Sequence, residues 1–178
     1  MRIISGFHKG RKIQAPKGLP VRPTADQAKE ALFNILNNNF YIPDCLVLDL
    51  FAGTGNISYE FASRGSKYIT SVDINNKCIN FIKNTSDKLL FNINTVKKDT
   101  FKFISTCDEH FDIIFADPPY SIDNVIYEQL ISSIVKKKLL NNSGIIIIEH
   151  SNKISLKNIK TYSETRKYGG SCFSFFIL

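Results

Sequence analysis

Residues 46–55 read Leu46-Val47-Leu48-Asp49-Leu50-Phe51-Ala52-Gly53-Thr54-Gly55. The nearly unbroken apolar run that opens this stretch suits a strand buried on both faces. It leads into a loop with two glycines, where the backbone can turn sharply and come close to a ligand. A helix is expected over 56–64, and its first N–H groups are then free to meet that ligand. In open α/β sheets, ligands bind beyond the carboxyl ends of the strands, which is where this loop lies. The continuation Asn56-Ile57-Ser58 lacks the third small residue of a GxGxxG dinucleotide fingerprint. Asp49 adds a second clue: a carboxylate is repelled by a pyrophosphate but attracted by the ammonium group of an amino acid. The loop therefore favours a cationic, carboxylate-bearing cofactor and disfavours a nicotinamide dinucleotide.

The same alternation extends downstream. Apolar runs at 45–50, 68–73, 94–97, 111–117 and 144–149 alternate with predicted helices at 56–64, 75–89, 100–106 and 123–138. Repeated strand and helix indicate a doubly wound α/β fold, a mostly parallel sheet with helices on both faces. Segments 159–164 and 171–178 flank Gly169-Gly170 and are expected to close the sheet as an antiparallel pair, giving seven strands. Upstream, Thr24-Ala25-Asp26-Gln27 matches a capping box, with Thr24 as cap and Gln27 reaching back. Behind it Ala28, Ala31, Leu32, Ile35 and Leu36 share one face of a helix that ends at Asn37 to Asn39. Residues 2–5 and 11–15 read as two extended pieces joined by a turn containing Gly6 and Gly10, and 16–23 is too broken by Pro and Gly for regular structure. One domain is expected over 1–178, with a basic β-hairpin and helix extension over 1–40 and a cofactor-binding catalytic core over 41–178.

Composition narrows the function classes. The chain has 178 residues, 43% hydrophobic and 22% charged, which is globular and not disordered. No apolar run exceeds four residues, Ile145 to Ile148 being one, so no membrane span is expected. Nothing near Arg2 and Lys9 to Lys12 resembles a signal peptide, and a cytoplasmic protein is expected. Cys45, Cys78, Cys107 and Cys172 show no CxxC pairing, which suits reduced buried thiols and neither a metal site nor disulfides. The formal charge is +7, and residues 1–25 hold Arg2, Lys9, Arg11, Lys12, Lys17 and Arg22 with no acid, hence +6 of it. Such concentration is the footprint of a phosphate-backbone binder. A merely solvated basic arm is the plainer alternative and is weighed below nucleic-acid contact.

Three further acids fall at strand ends. Asp73, 18 residues beyond Gly55, is placed to accept the hydroxyl hydrogens of a ribose. Asp99 suits a contact to an adenine amino group, or equally the N-cap of the helix that follows. Asp117-Pro118-Pro119-Tyr120 carries the chemistry. Two prolines remove two N–H donors and leave a surface of acceptors. The Asp117 carboxylate and the Pro118 carbonyl can hold both hydrogens of an exocyclic amine, localising a lone pair that otherwise delocalises into the ring. Tyr120 offers a face for a base to stack on. An ordinary Asp-Pro turn is the bland alternative. The histidines form no catalytic pattern; for His8 a plain exposed position is weighed above a phosphate contact.

At these residues the chain resembles the Rossmann-like class I methyltransferases that modify exocyclic base nitrogens. Arg2-Ile3-Ile4-Ser5-Gly6, Lys9-Gly10-Arg11-Lys12, Arg22-Pro23-Thr24-Ala25-Asp26 and Lys29 to Leu36 sharpen the likeness. So do Leu48 to Gly65 and Arg166-Lys167-Tyr168-Gly169. Together they resemble the bacterial 16S ribosomal RNA guanine-N2 methyltransferases over essentially the whole chain. The resemblance implies S-adenosyl-L-methionine as methyl donor, no metal, and as target one guanine of 16S rRNA on the small ribosomal subunit, modified by a monomer. It implies that Asp49, Phe51, Gly53 and Gly55 hold the methionine part, Asp73 the ribose and Asp99 the adenine edge. Asp117, Pro118 and Tyr120 then serve catalysis on a base turned out of its stack, while Arg2, Lys9, Arg11, Lys12 and Arg22 dock RNA. Asp73 stands where the family more often has Glu, and Ser66 where it has Ala. Two alternatives stay open: an adenine-N6 methyltransferase using the same tetrapeptide, and a catalytically silent rRNA-binding assembly factor.

Overall fold

In a computed structural model that describes residues 1–16, 18, 24–119 and 124–178, the chain begins with one antiparallel β-bridge, Arg2 to Lys12. Helix α1 (Asp26–Asn39) follows, then β1 (Leu46–Leu50), α2 (Asn56–Ser63), β2 (Tyr68–Asp73) and α3 (Asn76–Leu89). Next come β3 (Ile93–Lys97), α4 (Thr100–Thr106), β4 (Phe111–Ala116), α5 (Asn124–Lys136) and β5 (Leu140–Ser151). Strands β6 (Tyr162–Tyr168) and β7 (Ser171–Phe176) end the series. The sheet order is β3-β2-β1-β4-β5-β7-β6, parallel from β1 to β5, with β7 antiparallel to β5 and β6. This is the expected doubly wound, seven-stranded fold. The order reverses between β1 and β4, and the crossovers diverge there to leave a crevice.

Alternation along each strand sends side chains to two cores. Leu48, Leu50, Ile114 and Ile146 meet Phe103, Tyr127 and Leu130 from α4 and α5. Val47, Ile113, Phe115 and Ile147 meet Leu32, Phe33, Ile57 and Phe61 from α1 and α2. A third cluster joins Ile3 and Ile13 of the N-terminal hairpin to Tyr59 of α2 and to Ile82 and Leu89 of α3. The first helix buries Lys29 and Phe33 as well as the anticipated Ala28, Leu32 and Leu36, while Ala31 and Ile35 are only half-buried. At the unusual Ser66 the hydroxyl donates to the Cys45 carbonyl at 2.8 Å, just ahead of β1.

Three expectations are corrected. Thr24 does not cap α1; the N-cap is Ala25, with no side-chain bond, and the Thr24 hydroxyl donates to the buried Glu149 carboxylate at 2.7 Å. A charged acceptor wins over a backbone N–H that a first turn can leave to solvent. Strand β6 runs Tyr162–Tyr168 and not 159–164. It is an edge strand with no fully buried residue, so it carries no apolar run to betray it. Strand β5 is twice the expected length, extended backwards to Leu140 through an irregular register against β4. The broken 16–23 segment lies, apart from Pro16 and Gly18, outside the described residues.

One carboxylate fastens the N-terminal hairpin to the core. Glu60, fully buried on α2, accepts the Ile4 and Ser5 N–H groups at 2.8 and 3.0 Å. It also pairs with Arg64 at 2.9 Å and with the buried Lys29 ammonium at 3.5 Å. Burial pushes the Lys29 ammonium below its ordinary value and the Glu60 charge opposes that shift. Removing one member of such a group strands the others without water, a loss of about 3–5 kcal/mol. Glu60→Gln is therefore expected to lower urea-measured unfolding free energy by that order. Asp26→Asn, which breaks the exposed Arg2–Asp26 pair and leaves the Glu60 hydrogen bonds in place, should cost under about 1 kcal/mol. Equal losses would contradict the role given to Glu60.

Candidate active site

A cavity of about 430 Å³ opens at the carboxyl ends of the parallel strands, lined among others by Asp49, Phe51, Gly53, Asp73, Asp99, Asp117 and Pro118. Seven of the nine predicted catalytic and cofactor residues thus gather in one place. Gly55 lies immediately behind the wall. Tyr120 and the basic Arg22 fall outside the described residues.

The glycine loop is built by coiling the backbone. Phe51, Gly53 and Gly55 have φ of 58°, 54° and 78°, all left-handed. Phe51 bears a side-chain penalty there of roughly 1–2 kcal/mol, a strain of the kind found at functional loops. A Cβ at Gly55 would stand 2.9 Å from both Ile82 Cγ1 and Tyr59 Cζ, so only glycine fits. The Ala52 N–H donates to Val72 and the Gly53 N–H to Asp73 Oδ2 at 2.8 Å, which holds the loop over β2.

Each acid has its own surroundings. Asp49 is 2% exposed and accepts a short hydrogen bond from Ser58 Oγ, which also contacts Ser71 Oγ. Burial pushes its carboxyl up to about 7, against the pull of the Ser58 bonds. Asp73 uses Oδ2 for Gly53 and Oδ1 for the Asn75 N–H at 2.7 Å, yet each oxygen keeps a further lone pair. Asp99 does cap α4, accepting from the Lys102 N–H at 3.0 Å, and it also lines the cavity. Asp117 stands one residue past β4, half-buried, followed by the buried Pro118.

Several lining residues escaped the sequence reading, Ile74, Thr24, Asn56 and Cys78 among them. Ile74, 68% exposed between Asp73 and Asn75, gives the wall an apolar ledge. Thr24 and Asn56 form the side next to α1. Asn56 accepts from Lys29 Nζ at 2.8 Å and donates to the Thr24 carbonyl at 3.0 Å. Cys78 of α3 completes the floor. No periodicity marks such positions; only the position of Asn56 just after Gly55 could have suggested it. Among the described residues no His, Cys, Asp or Glu group could hold a metal ion.

The basic residues are exposed but not gathered at the cavity. Lys29 Nζ ties the Arg2 carbonyl at 2.7 Å to the Asn56 end of α2. At the other end of that helix the Phe7 N–H donates to Ser63 O at 2.7 Å. A Cβ on Gly6 would lie 1.8 Å from that same oxygen, so the hairpin turn needs glycine there. The hairpin turn at Gly6 and Phe7 is thus held at the far end of α2 (Asn56–Ser63), about 10 Å from Asn56 at 1.5 Å per residue. Arg11 and Lys12 lie on the exposed return of the hairpin. His8 is half-buried against Phe91, edge to face at 4.8 Å, so it is not the plainly exposed residue preferred from the sequence.

With this geometry in view, residues 1–177 match the model of a family described as conserved hypothetical protein 95. The chain belongs to this family. It is 33% identical over 168 residues, 93% of its length and 85% of the other's, to the "Ribosomal RNA small subunit methyltransferase D" of Buchnera aphidicola subsp. Acyrthosiphon pisum. The family resemblance read from the N-terminal motifs is thereby borne out. A hypothetical protein of Thermus thermophilus has the same fold, with TM-score 0.86, 23% identity and 100% and 99% of the two chains covered. A more distant likeness of fold, with TM-score 0.68, 15% identity and 84% and 77% covered, is to the Synechocystis magnesium protoporphyrin IX methyltransferase, solved with bound S-adenosylmethionine.

The raised Asp49 pKa has a signed consequence. A folded pKa near 7 against an ordinary 3.8 means that the native state holds the proton more tightly. Stability from this group is complete below about pH 4 and is lost as pH climbs to about 7. Subtracting the unfolding free energy of Asp49→Asn from that of the native chain should leave a difference that falls across this window and is flat above it. A difference independent of pH would remove the buried, proton-holding Asp49.

Proposed function

We propose that this chain is a ribosomal RNA methyltransferase that uses S-adenosyl-L-methionine, and that its target is the exocyclic N2 of a guanine in 16S rRNA on the small subunit. The observation that carries the reading is the meeting of Asp117 and Pro118, at the end of β4, with the glycine loop of β1 around one cavity. Membership of the family, with a relative named as a small-subunit rRNA methyltransferase, supports the substrate class. The active unit is the whole 1–178 domain, acting as a monomer. No described helix is long and apolar enough to cross a membrane, which accords with a cytoplasmic site of action.

The cavity fits the donor by the chemistry of its walls. An acid-lined recess with an apolar ledge at Ile74 suits a cation that carries a flat nucleoside. Asp49 and the 51–55 loop would hold the amino-acid part, Asp73 the ribose hydroxyls and Asp99 the adenine amine. The bound sulfonium supplies an activated methyl group, whose bond to sulfur breaks as the bond to nitrogen forms. Asp117 and the Pro118 carbonyl orient the amine hydrogens, and the carboxylate stabilises the positive charge developing on nitrogen until one amine proton leaves for solvent. Tyr120 stacks on the base. Arg2, Lys9, Arg11, Lys12 and Arg22 dock the RNA backbone, and Phe7, 89% exposed beside Lys9, adds a stacking face among those cations.

Radiolabelled methyl transfer to unmodified small subunits, with nucleoside analysis, tests the reading. Label is expected in N2-methylguanosine, and Asp117→Ala should abolish transfer while S-adenosylhomocysteine binding by calorimetry survives. Label in N6-methyladenosine would overturn the base assignment. No label despite cofactor binding would favour a silent assembly factor. Deleting the hairpin would remove Ile3 and Ile13 and expose Tyr59, Ile82 and Leu89, which they cover, so docking is better tested by charge. Replacing Lys9, Arg11 and Lys12 together by Gln should reduce the slope of log affinity against log salt by about 2–3. An unchanged slope would reject the docking role.

A further inference from the structure

The α1 side of the cavity holds a polar pair that the mechanism above leaves unused. Ala116 pairs with Ile148 across β4 and β5, so Asp117, one residue past β4, follows next in register to Glu149 within β5. By strand alternation Glu149 belongs to the sheet face of Ile147 and its neighbour Phe115, on which α1 packs. Glu149 is 1% exposed, and Thr24, 8% exposed, donates its hydroxyl proton to Glu149 Oε2 at 2.7 Å. Thr24 itself lines the cavity together with Asp117 and Pro118. Its carbonyl is fixed by Asn56 Nδ2 at 3.0 Å, and Asn56 is held by the buried Lys29, so the residue is tied from both its side chain and its backbone.

A hydroxyl has one proton and two lone pairs. With the proton committed to a buried carboxylate, the Thr24 oxygen can only accept from whatever enters the cavity. The acceptors that the cavity lining offers to a base then include the Asp117 carboxylate, the Pro118 carbonyl and Thr24 Oγ1. The edge of guanine beside its amine presents three N–H hydrogens, two on N2 and one on N1. Adenine presents two on N6 beside an N1 that is itself an acceptor, and that lone pair would face the Thr24 oxygen.

We infer that Thr24, polarised by Glu149, accepts the N1–H of the target base and so selects guanine over adenine. This rests on the guanine-N2 reading and gives it a residue. Glu149 is a positioning residue, acting through the hydroxyl. A site built to pair with a donor rejects a base that lacks it, because its own buried acceptors are then left unpaired.

The test compares small subunits reconstituted with guanosine or with 2-aminopurine at the position that takes label. 2-Aminopurine keeps the amine but has an acceptor at N1. The native enzyme and Thr24→Ser should both prefer guanosine in kcat/KM. In Thr24→Val that preference should narrow by about tenfold or more, the worth of one hydrogen bond, with S-adenosylhomocysteine affinity unchanged. A native enzyme without preference would overturn the inference. So would a Thr24→Val enzyme slowed equally on both substrates, which would mark Thr24 as structural. Absence of any N2-methylguanosine from the native enzyme would instead defeat the guanine reading itself, which separates the two failures.

Discussion

The Glu60 carboxylate is the constraint on which the outer half of the molecule depends. The N-terminal hairpin has a single β-bridge and two buried isoleucines, too little to order a dozen residues against their conformational entropy. Two backbone N–H groups donating to a buried anion supply what the ladder lacks, since charge-assisted bonds are about twice as strong as neutral ones. The anion in turn is tolerable inside the protein only because Lys29 and Arg64 neutralise it. Lys29 then extends the network to Asn56, and Asn56 to the Thr24 carbonyl. A cavity wall is thus positioned by an ion pair several residues behind it.

Charge is sorted by the same architecture. Asp49, Asp73, Asp99 and Asp117 all line the cavity, because strand ends at a reversal of sheet order converge there. Among the described residues, the excess cations Arg2, Lys9, Arg11 and Lys12 sit instead on the hairpin, whose turn is carried to the other end of α2. At physiological ionic strength the screening length is about 8 Å, so the two fields overlap little over that separation. A cationic small molecule and an anionic polymer can therefore be attracted to one small protein without either field cancelling the other.

How much of this was legible depended on whether burial left a mark in the sequence. Strands β1, β2 and β4 are apolar runs, and were placed within a residue because both faces are covered. Edge strand β6, Tyr-Ser-Glu-Thr-Arg-Lys-Tyr, satisfies its backbone without an apolar face and was misplaced by three or four residues. The site acids were legible because strand ends in this topology are functional positions whatever the side chain does. Lys29, Glu60 and Asn56 were not, since each looks like a helix-surface residue and is buried only through partners from distant segments. Spacing along one element carries no information about a carboxylate arriving from another.

Thr24 makes the same point from the opposite direction. Its context gives every local signal of a helix cap, and a cap is worth about 1 kcal/mol to α1. The helix starts without one, and its first acid, Asp26, is left to favour the dipole from the surface. The hydroxyl is given to Glu149, a carboxylate that would otherwise lie buried next to the cavity with one acceptor fewer satisfied. A local preference is thus overridden at the wall of a cavity, and departures of this kind are expected at functional or strained sites. Stability alone would have kept the cap and placed an apolar side chain at 149, level with the Phe173 that pairs with it on β7.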